Sequence, residues 1–121
     1  MTNPHCLYLV SCVSKKRDQP CAAGQLYQSS WFTKARAHVL AQSAPWYILS
    51  AEHGLIHPDQ VIAPYERTLN TMAVAERRAW AERVKAQIQQ QGLKPQRFVV
   101  LAGQRYREYL LDFLATRAAS V

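Results

Sequence analysis

Three short apolar runs along the chain predict the buried strands of a sheet. They cover residues 7–10, 46–49 and 98–102, and each is followed by serine or glycine. Continuous apolar runs, in contrast to alternating ones, are typical of strands with both faces buried. The runs therefore favour a parallel sheet that is covered by helices on both sides.

Helical periodicity fills the intervals between these runs. Apolar residues recur at helical spacing over residues 31–42, where Ser29 or Ser30 fits the N-cap position, and over residues 71–91, where Gly92 fits the stop. A last helical pattern follows the third run. The order strand, helix, strand, helix, strand, helix predicts an α/β fold, a three-layer sandwich with a mostly parallel sheet.

One stretch between the second strand and the second helix fits neither pattern. Residues 52–70 contain Gly54, Pro58 and Pro64, which exclude a long helix. We therefore predict a loop there. Loops longer than about 12 to 15 residues are uncommon in compact domains and are often functional.

Length and charge limit the class of protein. The 121 residues suffice for one domain, residues 1–121, and the net charge of +7 favours nucleotides or nucleic acid as partners. No stretch approaches the roughly 20 apolar residues of a membrane span, and no leader pattern is visible, so we expect no membrane partner. Three cysteines are an odd number, which predicts a reducing, cytoplasmic environment.

The carboxyl ends of the three predicted strands carry the candidate chemistry, because open parallel sheets bind ligands there. Small or hydroxylated residues followed by polar ones occur at all three ends, which predicts a pocket on one rim of the sheet. The rim residues are Ser11, Cys12, Ser14 and Lys15 after the first strand, Ser50, Glu52, His53 and Gly54 after the second, and Gly103, Gln104 and Arg105 after the third.

The segment after the first strand fits an anion. Ser11 and Ser14 can offer hydroxyls, the turn can offer backbone N–H groups, and Lys15 supplies positive charge, so we predict phosphate binding here. Cys12 is a candidate nucleophile beside two lysines, although packing as a small apolar residue is the commoner role of such a cysteine. The alternative is a solvated loop with a chance basic run.

The segment after the second strand holds two carboxylates and two histidines. His53 and His57 have the spacing of a zinc pair on a helix, but Gly54 disfavours a helix, so we predict neither a metal site nor another cofactor. Glu52, His53 and Asp59 are instead the candidate catalytic residues, for acid–base work or for positioning water. The alternative is that His53 and Asp59 only hold the loop by hydrogen bonds.

Aromatic residues add a candidate for base recognition. Tyr27 and Tyr65 lie in predicted loops beside polar residues, where a ring can stack on a nucleobase. Trp31 and Phe32 lie at a helix start, and we expect them to pack in the core.

Several phrases of the sequence resemble a known family. They are residues 9–16, 26–32 and 46–56, followed by Pro58-Asp59 and residues 62–65. In this order they are similar to a family of small bacterial and phage proteins of largely unknown activity. That family is distantly similar to YaaA-type peroxide-stress proteins and to the nucleobase-modifying domain of archaeosine synthases.

The resemblance implies a role in nucleobase or nucleic-acid chemistry on a uracil-DNA-glycosylase-like or Rossmann-like fold. Relatives often carry an aromatic residue where His53 stands. The site implied by the resemblance is lined by Ser11, Cys12, Lys15, Tyr27, Ser29, Ser50, Gly54, Asp59 and Tyr65.

We therefore expect a glycosylase-like hydrolase or a base-modifying enzyme that acts on a nucleotide or nucleic acid. Lys15 would hold phosphate and Tyr27 or Tyr65 would stack on the base. Asp59 or Glu52 would position water or stabilise an oxocarbenium-like centre, as carboxylates do in glycoside hydrolysis, and His53 would hydrogen-bond the departing base.

Two other functions are compatible with the sequence. The first is a non-catalytic DNA- or RNA-binding module, in which a solvated face of the second helix contacts phosphates through Arg77, Arg78, Arg83 and Lys85. The second is a sensor that binds a nucleotide without converting it. An exposed sheet edge would also allow a homodimer.

Overall fold

A central four-stranded sheet organises the chain, for which a computed structural model describes residues 6–11, 19–27, 29–65 and 68–118. The strands are β1 (Cys6–Ser11), β2 (Cys21–Ala22), β3 (Trp46–Ser50), β4 (Gly54–Ile56), β5 (Val61–Ile62) and β6 (Arg97–Leu101). β1 is parallel to β3 and β6, while β4 returns antiparallel to β3, and the order across the sheet is β4-β3-β1-β6. A short ribbon of β2 and β5 lies apart from this sheet.

Helices cover both faces of the sheet. On one face, Val10 and Ile48 pack against α1 and α2; on the other, Leu9 and Leu49 pack against α3 and α5. Neighbouring residues of one strand thus enter different cores, which is why the strands are continuously apolar. The predicted α/β class with a mostly parallel sheet is confirmed. The helices are α1 (Ala23–Leu26), α2 (Ser30–Ala41), α3 (Val74–Gln90), α4 (Gln104–Arg107) and α5 (Leu111–Arg117).

The predicted helix boundaries hold at two positions. The Oγ of Ser29 accepts the backbone N–H of Phe32 at 3.1 Å, so Ser29 is the N-cap of α2. Gly92 follows α3 with a φ of 65°, the left-handed conformation that commonly ends a helix. No helix among the described residues is long and apolar enough to cross a membrane.

Three predicted elements differ from the structure. The predicted loop over residues 52–70 contains β4, β5 and the 3-10 turn Leu69–Thr71, because strands of two or three residues are too short to show a periodic pattern. α3 begins at Val74, after that turn, and not at residue 70 or 71. The last helical pattern is divided into α4 and α5, while Tyr106, Leu110 and Leu114, which have the spacing of one helix face, all lie in the same core.

Candidate functional site

Ser50, the last residue of β3, links distant segments at the edge where β1, β3 and β6 end, here called the carboxyl edge. Its side chain is completely buried. Its Oγ donates a hydrogen bond to the hydroxyl of Tyr65 at 2.7 Å and accepts one from the backbone N–H of His53 at 3.1 Å. The Tyr65 hydroxyl also lies 2.7 Å from that of Tyr27. Residues from three segments of the chain thus form one hydrogen-bonded series, called the hydroxyl cluster below.

The rings of this cluster differ in their access to solvent. His53 and Tyr65 are both half-buried and meet edge to face, with 5.6 Å between ring centroids. Tyr27 is only 1% exposed, and its ring packs against Phe32 at 5.0 Å. Tyr27 therefore contributes its hydroxyl, and the expectation that its ring stacks on a base does not fit its burial. For Tyr65, whose ring is half-buried, stacking on a base stays a prediction.

Helix α3 fixes the turn between β3 and β4 through side chains that reach backbone carbonyls. The indole Nε1–H of Trp80 donates to the carbonyl oxygen of Ser50 at 2.8 Å, inside the core. One turn further along the helix, the guanidinium of Arg83 donates to the carbonyl oxygen of Glu52 at 2.9 Å. Both contacts hold the backbone of the turn and involve none of its side chains.

Gln87 completes this support one turn further along α3. Its Oε1 accepts the backbone N–H of Leu55 at 2.7 Å, and its Nε2 donates to the carbonyl oxygen of His53 at 3.1 Å. Between these two residues Gly54 has a φ of 74°, and a Cβ there would fall on Oε1 of Gln87. The predicted site residue Gly54 is thus required for the shape of the turn.

The sequence pattern does not predict these three contacts with the turn. Arg83 lies on an exposed face, as predicted, but its hydrogen bond to Glu52 has no local signature, and Gln87 has no predicted role. The signal was present in the spacing, since Gln87 comes seven residues after Trp80 and three after Val84, on the buried stripe of the helix. A polar residue on such a stripe needs a buried partner.

Asp59 lies apart from the hydroxyl cluster. Strand β4 runs back along β3 from the level of Ser50 to that of Ile48, a distance of about 7 Å at 3.4 Å per residue. The following residue, His57, contacts the ring of Tyr47 near the start of β3, with 5.6 Å between centroids. The Asp59 side chain is 90% exposed beside this histidine. Glu52 and His53 therefore share the turn, and Asp59 does not.

A small cleft borders the same turn on the α3 face of the sheet. Its volume is about 220 Å³, and it begins at Ala51, directly after Ser50. The lining combines apolar walls with two charged side chains at the rim. These residues are Ala51, Met72, Glu76, Ala79, Trp80 and Arg83.

The basic residues of α3 make contacts within the protein, and Arg77 departs from the predicted solvated face, whereas Arg78 and Arg83 are exposed as predicted. Arg77 is buried, pairs with Glu108 at 3.0 Å and donates to a backbone carbonyl. The guanidinium of Arg78 lies 4.8 Å from the centre of the Tyr109 ring. Lys85 is paired with the neighbouring Glu82 at 3.0 Å. A nucleic-acid interface on this face would have to compete with these contacts.

The remaining predicted site residues lie at the end of β1, in the segment that follows it and at the start of α2. Ser11 ends β1 beside Leu49 and is buried, whereas Cys12, Ser14 and Lys15 lie outside the described residues. The Ser29 hydroxyl caps α2. Within the described ranges, no group of three or more His, Cys, Asp or Glu side chains is placed to hold a metal ion.

Sequence comparison assigns the chain to a family. The profile of the Family of unknown function (DUF6884) matches residues 7–121. The chain belongs to this family. Comparisons with curated proteins and with solved structures gave no match. Because the function of DUF6884 is unknown, membership assigns no activity to the chain, and only the site itself bears on its function.

Proposed function

We propose that this chain is an enzyme that acts at the N-glycosidic bond, or on the base, of a nucleotide or nucleic acid. The observation that carries the proposal is the hydroxyl cluster, in which Ser50 joins Tyr65 to the turn bearing Glu52 and His53. A buried serine that binds a tyrosine hydroxyl and the backbone of a histidine at the end of a parallel strand forms part of a preorganised polar site.

The order of the strands supports a ligand site at this edge. From β1 the chain crosses to β3 on one side, and from β3 it crosses back to β6 on the other side of β1. Such a reversal creates a crevice at the carboxyl ends of the strands, and doubly wound folds bind nucleotides there. Ser11 ends β1 and Gly103 follows β6 at this crevice. The finer part of the proposal, a Rossmann-like or uracil-DNA-glycosylase-like fold and the distant likeness to YaaA-type proteins, rests on the resemblance of the sequence phrases.

The side chains of the turn supply the chemistry that the reaction needs. His53 donates a hydrogen bond to the departing base, and the ring of Tyr65 lies against that base. We assign the carboxylate role, positioning water or stabilising an oxocarbenium-like centre, to Glu52, because Asp59 lies toward the other end of β3. Lys15 and Ser14 hold phosphate in this proposal, which extends the site to the segment after β1.

The test is mass spectrometry of small molecules released from nucleosides, nucleotides and oligonucleotides with normal and modified bases. We expect a free or altered base with the wild-type protein and with the control His57→Ala, whose ring lies beside Tyr47. We expect none with His53→Ala. Absence of product with every substrate would contradict the proposal, and salt-sensitive retention of oligonucleotide without product would favour the non-catalytic binding module.

A further inference from the structure

A groove runs along the free edge of the sheet, far in sequence from the hydroxyl cluster. β6 is the last strand in the order β4-β3-β1-β6, and among the described residues no strand pairs with its outer edge. The groove between β6 and α5 has a volume of about 550 Å³. Its lining consists of Arg97, Phe98, Val99 and Val100 from β6, Arg107 from α4, and Leu111, Asp112 and Ala115 from α5.

An open edge next to an apolar groove suits an extended segment. The outer backbone groups of an edge strand are available to pair with an added strand, and alternate side chains of that strand supply specificity. Here Leu111 is 37% exposed and Ala115 is exposed, so α5 offers an apolar wall beside the strand edge. The volume falls within the range of about 300 to 1,000 Å³ that is typical of ligand pockets.

The charges at the groove indicate which kind of segment fits. Arg97 and Arg107 are exposed, and neither has an ion pair with a residue in the described ranges. Among the described lining residues Asp112 is the one acid, and it lies in the first turn of α5, where it complements the positive end of the helix. Two copies of a chain with a net charge of +7 repel each other, which disfavours a second copy as the occupant.

We propose that this groove binds an extended acidic segment of another protein, added as a strand to the outer edge of β6. Alternate apolar side chains of the segment enter the groove over Leu111 and Ala115, and the carboxylates between them point to the other face of the sheet, where Arg97 lies in line with Val99. The proposal is independent of the chemistry at the carboxyl edge, since none of these residues belongs to the hydroxyl cluster.

The experiment measures binding of a fluorescein-labelled octapeptide of alternating glutamate and valine, with the lysine–valine octapeptide as the control probe. We expect only the acidic peptide to bind, with an affinity that falls as salt is raised, and slower hydrogen exchange of backbone amides in β6 in the complex. Arg97→Glu should weaken binding by about tenfold or more, since loss of attraction is combined with repulsion. Ala115→Trp, which fills the groove, should weaken it by a similar factor.

The matched control is Lys34→Glu, which reverses the charge of an exposed residue of α2, a helix on the face of the sheet opposite α5. It should leave binding nearly unchanged. Equal binding of both peptides would overturn the proposal. An affinity for the acidic peptide that is unchanged by Ala115→Trp and by Arg97→Glu would overturn it as well. A concentration-dependent dimer that Ala115→Trp abolishes would assign the groove to a second copy. Binding of a short oligothymidylate through Arg97 without protection of β6 amides would assign it to nucleic acid, and either result would also overturn the proposal.

Discussion

The two ends of the β3–β4 hairpin differ in which part of the protein holds them and in how exposed their side chains are. Each end carries one histidine and one carboxylate, Glu52 with His53 at the turn and His57 with Asp59 at the open end. At the turn, backbone groups are hydrogen-bonded by side chains of α3 and by Ser50. At the open end, the Nδ1 of His57 accepts the backbone N–H of Asp59, and the two side chains are largely exposed.

This difference distinguishes the pair Glu52 and His53 from the pair His57 and Asp59, although both pairs consist of the same kinds of residue. Catalytic groups need neighbours that fix their geometry, and a second set of contacts normally provides this. Trp80, Arg83 and Gln87 provide such contacts for the turn. At the open end the carbonyl oxygens of Pro58 and Gln60 accept backbone N–H groups of α1 at 2.7 Å, so the chain is held there too, but the side chains of His57 and Asp59 stay largely exposed. The comparison predicts that substitutions at the turn have large effects and substitutions at the open end small ones.

The largest effect on stability is expected for Gly54→Ala. A left-handed backbone costs a side chain about 1 to 2 kcal/mol, and the new Cβ would displace Gln87 from its hydrogen bonds, so we expect a total loss of about 2 to 4 kcal/mol. Gly92→Ala is the matched control, with a similar φ and open space around the new Cβ, and it should cost only about 1 kcal/mol. Urea unfolding measures both, and equal losses would show that Gln87 is not a constraint on the turn.

A smaller loss is expected for Gln87→Leu. The substitution leaves the N–H of Leu55, a residue 3% exposed, without its acceptor, which costs about 1 to 3 kcal/mol. Gln89→Leu changes an exposed position of the same helix and should stay within about 0.5 kcal/mol. The same urea titration compares the two variants. Similar stabilities of the two variants would show that the hydrogen bonds of Gln87 with Leu55 and His53 do not stabilise the turn.

Ser50→Ala tests the hydroxyl cluster directly. Loss of the Oγ removes a donor to Tyr65 and an acceptor for the His53 N–H, so we expect about 1 to 2 kcal/mol of lost stability. The double variant with Tyr65→Phe should cost less than the sum of the two single changes, because both remove the same hydrogen bond. Strict additivity in the double-mutant cycle would mean that the two hydroxyls do not cooperate. Ser30→Ala at an exposed position is the control.

The smallest effect is expected for Asp59→Asn. Its carboxylate is 90% exposed and 3.8 Å from a half-exposed His57, and pairs of this kind contribute about 0 to 1 kcal/mol. We therefore expect a change in unfolding free energy within about 0.5 kcal/mol. A loss above about 1 kcal/mol would show that the open end is held more firmly than its exposure suggests.

The sequence predicted the parts of the fold that have a long, periodic pattern. β1, β3 and β6 are continuous apolar runs, and α2 has a capping serine at the expected place. β4 was not predicted because its three residues begin at Gly54 and end two residues before Pro58, where turn signals dominate. The buried Arg77 was also mispredicted, since a pairing with Glu108 across 31 residues leaves no local trace.

The site was predictable only as a set of residue types. The rule that ligands bind at the carboxyl ends of parallel strands singled out Ser50, Glu52 and His53 in advance. It could not show that Tyr65 meets Ser50, because this contact depends on how β5 returns the chain to the edge. Nor could it separate Glu52 from Asp59, since the reversal of the chain in β4 is what moves Asp59 away.

The most direct test of the central claim compares turnover by Glu52→Gln and Asp59→Asn on the panel of nucleosides, nucleotides and oligonucleotides. Both substitutions remove one negative charge and change volume very little, so the pair differs in position alone. We predict that Glu52→Gln abolishes formation of the free or altered base, whereas Asp59→Asn keeps activity close to that of the wild type. Loss of activity in Asp59→Asn with retention in Glu52→Gln would contradict the assignment of the site to the turn.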